Sequence, residues 1–329
     1  MLRAVAVLLG AVLLIGGASW LSLYVYDLPG PLPDQRAVVV PRGGLDQIAD
    51  LLGQRGVVGN PTALRLAALV TRGQGPVHSA ELSFPSHASL REVLLVLRFG
   101  KPVQHRLTIQ EGLTASQVAV LIDKAPALEG SAGVPEEGSL LPETYSFELG
   151  FDRAALLERA KRAMDRALQQ AWASRTGDTS PLAGPRDALI LASIVERETG
   201  RADERPRVAT VFLNRLRRGM KLQSDPTVVY GASGGAGVLD HGLTRAELDR
   251  DDPYNTYRIA GLPPGPISMP GLASLKAVTR PWPGEELYFV ADGTGGHLFA
   301  KNEQDHLRNV ARWREIERQR AAMQRTAPN

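Results

Sequence analysis

Cysteine is absent from all 329 residues, which removes disulfide scaffolds, thiolate zinc sites and cysteine nucleophiles together. Histidine is scarce. His78, His87, His105, His241, His297 and His306 include no pair at a metal-ligand spacing such as HExxH, so neither a metal nor another cofactor is implied. Charge of one sign is lacking too. The 38 Lys and Arg stand against 35 Asp and Glu, and a net charge of +3 gives no polycationic surface and no support for a nucleic-acid partner. What remains is 43% hydrophobic and 22% charged, the composition of a folded chain whose length suggests two domains.

One long apolar block is present. Ala4 to Tyr26 carries no charge over 23 residues, about 34 Å as a helix, enough to cross a hydrocarbon core of about 30 Å. Arg3 precedes it and Asp27 follows, so the positive-inside rule places the N-terminus in the cytoplasm and the remainder on the extracytoplasmic side. A cleaved signal peptide and a buried core helix are the competing readings. The run extends well past the small residues Gly16, Gly17 and Ala18, which favours an uncleaved anchor in residues 1–26. Pro29, Pro31 and Pro33 make residues 27–36 a stiff spacer.

Strand, turn and helix patterns then recur. Val38 to Gly43 leads into Gly44 to Leu52, Leu82 to Pro85 into Ser89 to Leu94, and Leu107 to Gly112 into Ala115 to Ala119. With Pro61 to Arg72 as a further helix, residues 36–85 suggest a βααβ module similar to the LysM fold, a type associated with N-acetylglucosamine polymers. This LysM-like region is assigned residues 37–128, either as a glycan binder or as a spacer. Glu129 to Ser139, rich in Gly, Ser and acidic residues, marks the expected boundary with a mixed α+β domain over 140–320, leaving 321–329 as a tail. The expected fold class is therefore α+β behind a single N-terminal transmembrane helix.

In the second domain Phe151 to Arg175 reads as an amphipathic helix with Leu156, Leu157, Ala160, Met164, Leu168 and Trp172 inward. Asp187 to Thr199 is nearly apolar until it meets Glu196, Arg197 and Glu198. A carboxyl buried at such a junction is desolvated, the preparation that a general acid needs near neutral pH. Glu196 and Glu198 lie about 200° apart on a helix and cannot form a shared carboxylate pair. Ala192 and Ser193, on the side of Glu196, leave room for a ligand; the bland alternative is a helix ending in solvent. Glu198 is the other candidate acid, or a partner of Arg201 or Arg205. A further helix over Asp203 to Arg218 stops at Gly219. Gln223, Ser224, Asn255, Thr256 and Tyr257, with the rigid loop Pro263 to Gly271, have the character of a cleft lining. Asp225 is a candidate to orient the site, or a turn or cap residue ahead of Pro226. His297, on a hairpin turning over Asp292 to Gly296, is a candidate substrate contact.

VERET, NRLRRGMKLQSDPTVVYG, PYNTY, GLPPGPIS and YFVADGTGGH, preceded by LPETYSF, resemble the membrane-anchored endolytic murein transglycosylases of the YceG-like group. The resemblance covers essentially the whole chain. It implies that Glu196 is the catalytic acid, and that peptidoglycan glycan strands are cleaved without water to leave 1,6-anhydro-N-acetylmuramyl ends. It also implies an inner-membrane location and association with penicillin-binding proteins of elongation or division. Glu143 stands where the family more often has Asp, and Met269 and Leu307 where Asn is frequent, so these three receive no substrate contacts. Two other classes compete. Gly231 to Gly235 fits the G-x-S-x-G nucleophile elbow, but that motif needs a strand before it and a helix directly after, and the residues read instead as a flexible loop. The other is a non-catalytic, membrane-tethered scaffold that binds peptidoglycan for cell-wall synthases.

Overall fold

The computed structural model describes residues 24–326, in two compact units: Met1–His105 with Ser146–Gly150, and Arg106–Tyr145 with Phe151–Asn329. The apolar Ala4 to Tyr26 run lies outside the described residues except for its last three, which are helical. Among the described residues no helix is long and apolar enough to cross a membrane.

In the first unit, β1 (Arg36–Val39) pairs antiparallel with β2 (Glu81–Phe84), Val38 opposite Leu82. Between them run α1 (Leu45–Gln54) and α2 (Pro61–Val70), and α3 (Leu90–Phe99) follows. The βααβ order expected for residues 36–85 is the order found. Period-two alternation buries Val38 and exposes Val39. Asn60 caps α2 through the Ala63 N–H, with Pro61 in the first turn, and Ser89 and Glu92 form a capping box on α3. Ile48, Leu52, Leu64, Phe84 and Leu94 make the core. The stretch expected to be a spacer is partly folded into it: Leu32 is buried, and its carbonyl accepts the His87 N–H while the Gly30 N–H donates to the His87 carbonyl.

The chain then enters β3 (His105–Thr108), α4 (Ala115–Asp123), β4 (Leu128–Glu129), β5 (Thr144–Phe147) and β6 (Phe151–Asp152). β3 pairs with β5, and β4 runs parallel to β6. The Glu129 to Ser139 stretch, expected to separate domains, lies inside the second unit. Glu137 explains why: its carboxylate accepts the Ala115 N–H at the start of α4 and the Tyr230 hydroxyl.

Helices dominate the rest of this unit: α5 (Arg153–Ala173), α6 (Pro185–Glu198), α7 (Arg205–Arg217), α8 (Asp225–Ala232), α9 (Arg245–Asp249) and α10 (Leu272–Thr279), then the hairpin β7 (Tyr288–Ala291) and β8 (His297–Ala300), and α11 (Glu303–Thr326). The inward stripe expected on α5 holds at Leu156, Ala160, Met164 and Leu168, which are buried, while Leu157 and Trp172 are only half-buried. Asp187 accepts the Ala183 N–H and fixes the entry to α6, where Pro185 sits in the first turn. Gly219, at φ 66°, closes α7 in the left-handed conformation, with the Met220 N–H returned to the Arg215 carbonyl. α10 packs on both α6 and α7, and Leu191, Ile194, Phe212, Leu275 and Val278 form their shared core.

Val228 to Tyr230 belong to α8, so Ser233 follows a helix rather than a strand. Its hydroxyl donates to the Tyr230 carbonyl and accepts the Gly237 N–H, and Gln117 of α4 donates to the Ala236 carbonyl. A nucleophile elbow is excluded by this geometry, and the loop expected to be flexible is tied down.

Phe212 is fully buried and meets Phe289 edge-on at 5.8 Å. Phe212→Ala is expected to cost about 3–5 kcal/mol, because the cavity cannot refill from rigid neighbouring helices. A urea titration followed by circular dichroism measures this, and a loss below about 1 kcal/mol contradicts the packing described.

Candidate active site

The apolar run of α6 carries Glu196 into the interior of the unit, where its side chain is 3% exposed. Both carboxylate oxygens are engaged. Oε1 accepts from Arg205 Nη2 at 2.8 Å and Oε2 accepts the Gly271 backbone N–H at 2.8 Å. Hydrogen bonds to an ionised acceptor are stronger than neutral ones, so this carboxylate is held in one orientation.

Three segments converge to make that arrangement. α7 supplies Arg205 in its first turn, nine residues beyond Glu196. The Pro263 to Gly271 loop is stitched to α6 through Ser193, whose hydroxyl accepts the Ile267 N–H and whose carbonyl accepts the Ser268 hydroxyl. The turn after β3 supplies Glu111: Gly112 donates to the Met269 carbonyl and Met269 donates to the Leu113 carbonyl. Glu111 Oε2 then lies 3.4 Å from the same Arg205 Nη2. Gly271 leaves room for this carboxylate, since a Cβ there would fall 1.7 Å from Glu111 Oε1 and push that side chain aside. Burial and the neighbouring Glu196 charge push the Glu111 carboxyl up, against an opposing pull from Arg205. Arg197 braces the turn, donating to the Gly112 and Gly237 carbonyls.

The sequence singled out Glu196, Ala192 and Ser193 on one face, and the Pro-Gly loop does lie against that face. Gly271 closes the loop read as cleft lining, but Glu111 and Arg205 were missed as site residues. Their only local signals were a Glu-Gly turn after a strand and an arginine heading a helix, both too common to assign.

The other candidates gather around Glu198 instead. Ser224 donates to Glu198 Oε2 at 2.8 Å, and the Tyr257 hydroxyl donates to Asp225, which opens α8 as its first residue. Glu198 forms no ion pair with Arg201 or Arg205: Arg201 engages Asp203 and Glu204, and Arg205 engages Glu196. Gln223 is exposed, with its backbone at a left-handed φ of 52° and its N–H donated to the Thr256 carbonyl. Asn255 is buried, and its amide donates to the carbonyls of Glu247, Leu248 and Arg250. That amide builds its own loop and has no donor left for a sugar. His297 pairs with Glu204, Nδ1 to Oε2 at 2.8 Å, while the His297 N–H donates to the other oxygen.

Desolvation pushes the Glu198 carboxyl up to about 7, with Asp225 adding to the rise and the Ser224 hydroxyl opposing it. Because the folded value exceeds the unfolded one, the stability this group contributes is full below the unfolded value and is lost as pH rises through about 7. Glu198→Gln is therefore expected to raise Tm by about 2–4 °C near pH 8.5 and to change little near pH 5, read by thermal denaturation. Equal shifts at both pH values would contradict a desolvated carboxyl that stays neutral up to about pH 7.

Comparison with known proteins places this architecture. The YceG-like family profile matches residues 38–312. The endolytic murein transglycosylase of Streptococcus pneumoniae serotype 2 strain D39 is 32% identical over 227 residues, 67% of this chain and 40% of that protein. The endolytic murein transglycosylase of Bacillus subtilis strain 168 is 35% identical over 173 residues, 52% of this chain and 46% of that protein. The aligned part thus spans less than half the length of these relatives. The crystal structure of a yceG-like protein from Listeria monocytogenes matches with a TM-score of 0.50 at 25% identity, covering 84% of this chain and 99% of that one. With the profile extending from β1 into α11, the chain belongs to the YceG-like family.

Proposed function

We propose that this protein is an endolytic lytic transglycosylase of peptidoglycan, a lyase that cleaves between N-acetylmuramic acid and N-acetylglucosamine and leaves a 1,6-anhydro-N-acetylmuramyl end. The observation that carries the reading is the Glu196 carboxyl, buried at the end of an apolar helix and fixed by a guanidinium and a backbone N–H. Likeness to the endolytic murein transglycosylases of Streptococcus pneumoniae and Bacillus subtilis supports the same assignment.

Hydrolysis of a glycosidic bond normally uses one carboxyl as acid and another to activate water or attack the sugar. Intramolecular transfer needs less. The Glu196 carboxyl gives its proton to the bridging oxygen as the bond from C1 breaks. The resulting carboxylate takes the proton of the muramyl C6 hydroxyl as that oxygen bonds to C1. The nucleophile is already tethered to the electrophile, so proximity takes the place of a positioned water. Gln223, Asp225, Tyr257 and His297 belong to surrounding surface that orients the strand, with Ser224 buried against Glu198 and Asp225 held by the Tyr257 hydroxyl.

The uncharged Ala4 to Tyr26 block supports an inner-membrane anchor with its N-terminus in the cytoplasm, leaving both folded units on the periplasmic side. The enzyme then meets strands as they are made and acts as a terminase of their elongation, beside the penicillin-binding proteins of elongation or division. The βααβ arrangement of the first unit supports a LysM-like grip on glycan.

Purified protein incubated with glycan strands, followed by mass spectrometry of the new ends, tests the activity. Anhydro ends are expected from the wild type. Glu196→Gln is expected to lower their release at least about 100-fold, the scale of a lost general acid, with an unchanged circular dichroism spectrum. New reducing ends would instead identify a hydrolase, and binding with no new ends a scaffold.

A further inference from the structure

Arg205 faces two carboxylates with one guanidinium. Its Nη2 reaches Glu196 at 2.8 Å and Glu111 at 3.4 Å, which puts the two carboxyl groups within roughly 6 Å of one another. With both ionised, the cluster would bury a net negative charge; with one proton between them it is neutral, and burial favours the neutral form. The two carboxyls differ in access. The Glu196 side chain is 3% exposed and that of Glu111 43%. Both oxygens of Glu196 already accept hydrogen bonds, one from Arg205 and one from the Gly271 N–H. A general acid held this way must first be released from its arginine. The Arg205 Nε is buried and has no hydrogen-bond partner, so turning the guanidinium from one carboxylate toward the other sacrifices no other bond.

We propose that Glu111 is a positioning residue for the reaction, a second carboxylate that takes over Arg205 and hands its proton to Glu196 when Glu196 acts as the acid. The proposal rests on the transglycosylase reading above. In the resting cluster Glu111 holds the proton and Arg205 pairs with Glu196. In the donating state Arg205 pairs with ionised Glu111, and Glu196 carries the proton. That proton passes to the bridging oxygen as the bond from C1 breaks, and Glu196 recovers one from the C6 hydroxyl as O6 closes on C1. Proton and charge counts are the same before and after the turnover. Among the described residues, the Gly271 N–H from the loop before α10 also donates to this cluster, and Arg197 of α6 has its Nη atoms committed to the Gly112 and Gly237 carbonyls. Gly271 keeps the space for Glu111 open.

The pH profile of anhydro-end release separates this role from a structural one. Glu111→Gln deprives Arg205 of its alternative partner and the cluster of its reserve proton. The alkaline limb of the rate profile is expected to move down by about one pH unit or more, which lowers kcat at pH 7 about tenfold or more, while KM changes by less than about twofold. Glu111→Asp is expected to restore part of the limb, since it restores the charge. A Glu111→Gln profile that superimposes on the wild type overturns the proposal, as does a uniform loss at every pH that Glu111→Asp does not relieve. A second readout needs no substrate. The carboxyl 13C resonance of Glu111, assigned by its loss in Glu111→Gln, is expected to titrate at lower pH in Glu196→Gln than in the wild type. An unmoved titration overturns the coupling. A wild type that makes no anhydro ends counts against the transglycosylase reading alone, and the 13C titration then decides the pairing.

Discussion

The buried ion pair between Glu196 and Arg205 is the constraint around which the second unit is organised. Removing two charges from water costs several kcal/mol per ion, and mutual attraction offsets this only with good geometry and further hydrogen bonds. The unit meets that condition by convergence. α6 brings the carboxylate, α7 the guanidinium and the Pro263 to Gly271 loop the backbone donor. The helix core of Leu191, Ile194, Phe212, Leu275 and Val278 fixes the two helices whose ends carry the pair. Loss of Arg205 leaves Glu196 without its cationic partner, whereas loss of Glu196 leaves Arg205 only the more distant Glu111, so the pair depends on the packing that delivers both members.

The loop is as necessary as the helices, and its composition follows from its task. Ser193 sits one turn before Glu196 on α6, and its hydroxyl and carbonyl bind two successive loop residues. The prolines before them limit the chain's conformations, so that the Gly271 N–H is aimed at Glu196 with little left to order. Met269 is buried and exchanges backbone hydrogen bonds with the Gly112 to Leu113 turn. Its sulfur also accepts the Leu140 N–H. Met269 is thus occupied by packing and backbone pairing.

Periodicity made the helices legible, because a 3.6-residue apolar repeat is a local property of the chain. The stripe of α5, the apolar stretch of α6 and the glycine stop of α7 were all readable in this way, and so was the βααβ order of the first unit. The site was legible only where one local pattern sufficed, at Glu196. Arg205 and Glu111 acquire meaning from contacts with residues 9 and 94 positions away, respectively Glu196 and Arg205. No pattern of propensity or spacing encodes such contacts. Asn255 shows the converse failure. Its residue type and polar neighbours suggested a sugar contact, whereas its three carbonyl partners lie within eight residues and define a loop. Composition likewise placed a boundary at Glu129 to Ser139, where Glu137 in fact ties the segment to α4 and α8.

Two carboxylates two residues apart on α6 end in opposite chemical settings, and helix geometry alone sends them there. Glu196 meets a guanidinium and a backbone N–H. Glu198 meets the Ser224 hydroxyl, with Asp225 close enough to raise it and Arg215 and His297 contributing weaker opposing pulls. The first setting provides full charge compensation for an anion, and the second favours a neutral acid up to about pH 7. Environments that diverge this far for identical side chains commonly separate chemical roles within one site. Here the division runs along the helix. The Glu196 face carries the arginine and the second carboxylate, while the Glu198 face organises Ser224, Asp225 and Tyr257. A single helix end thus fixes both the reacting group and the polar surface beside it, and the register of α6 sets the relation between them.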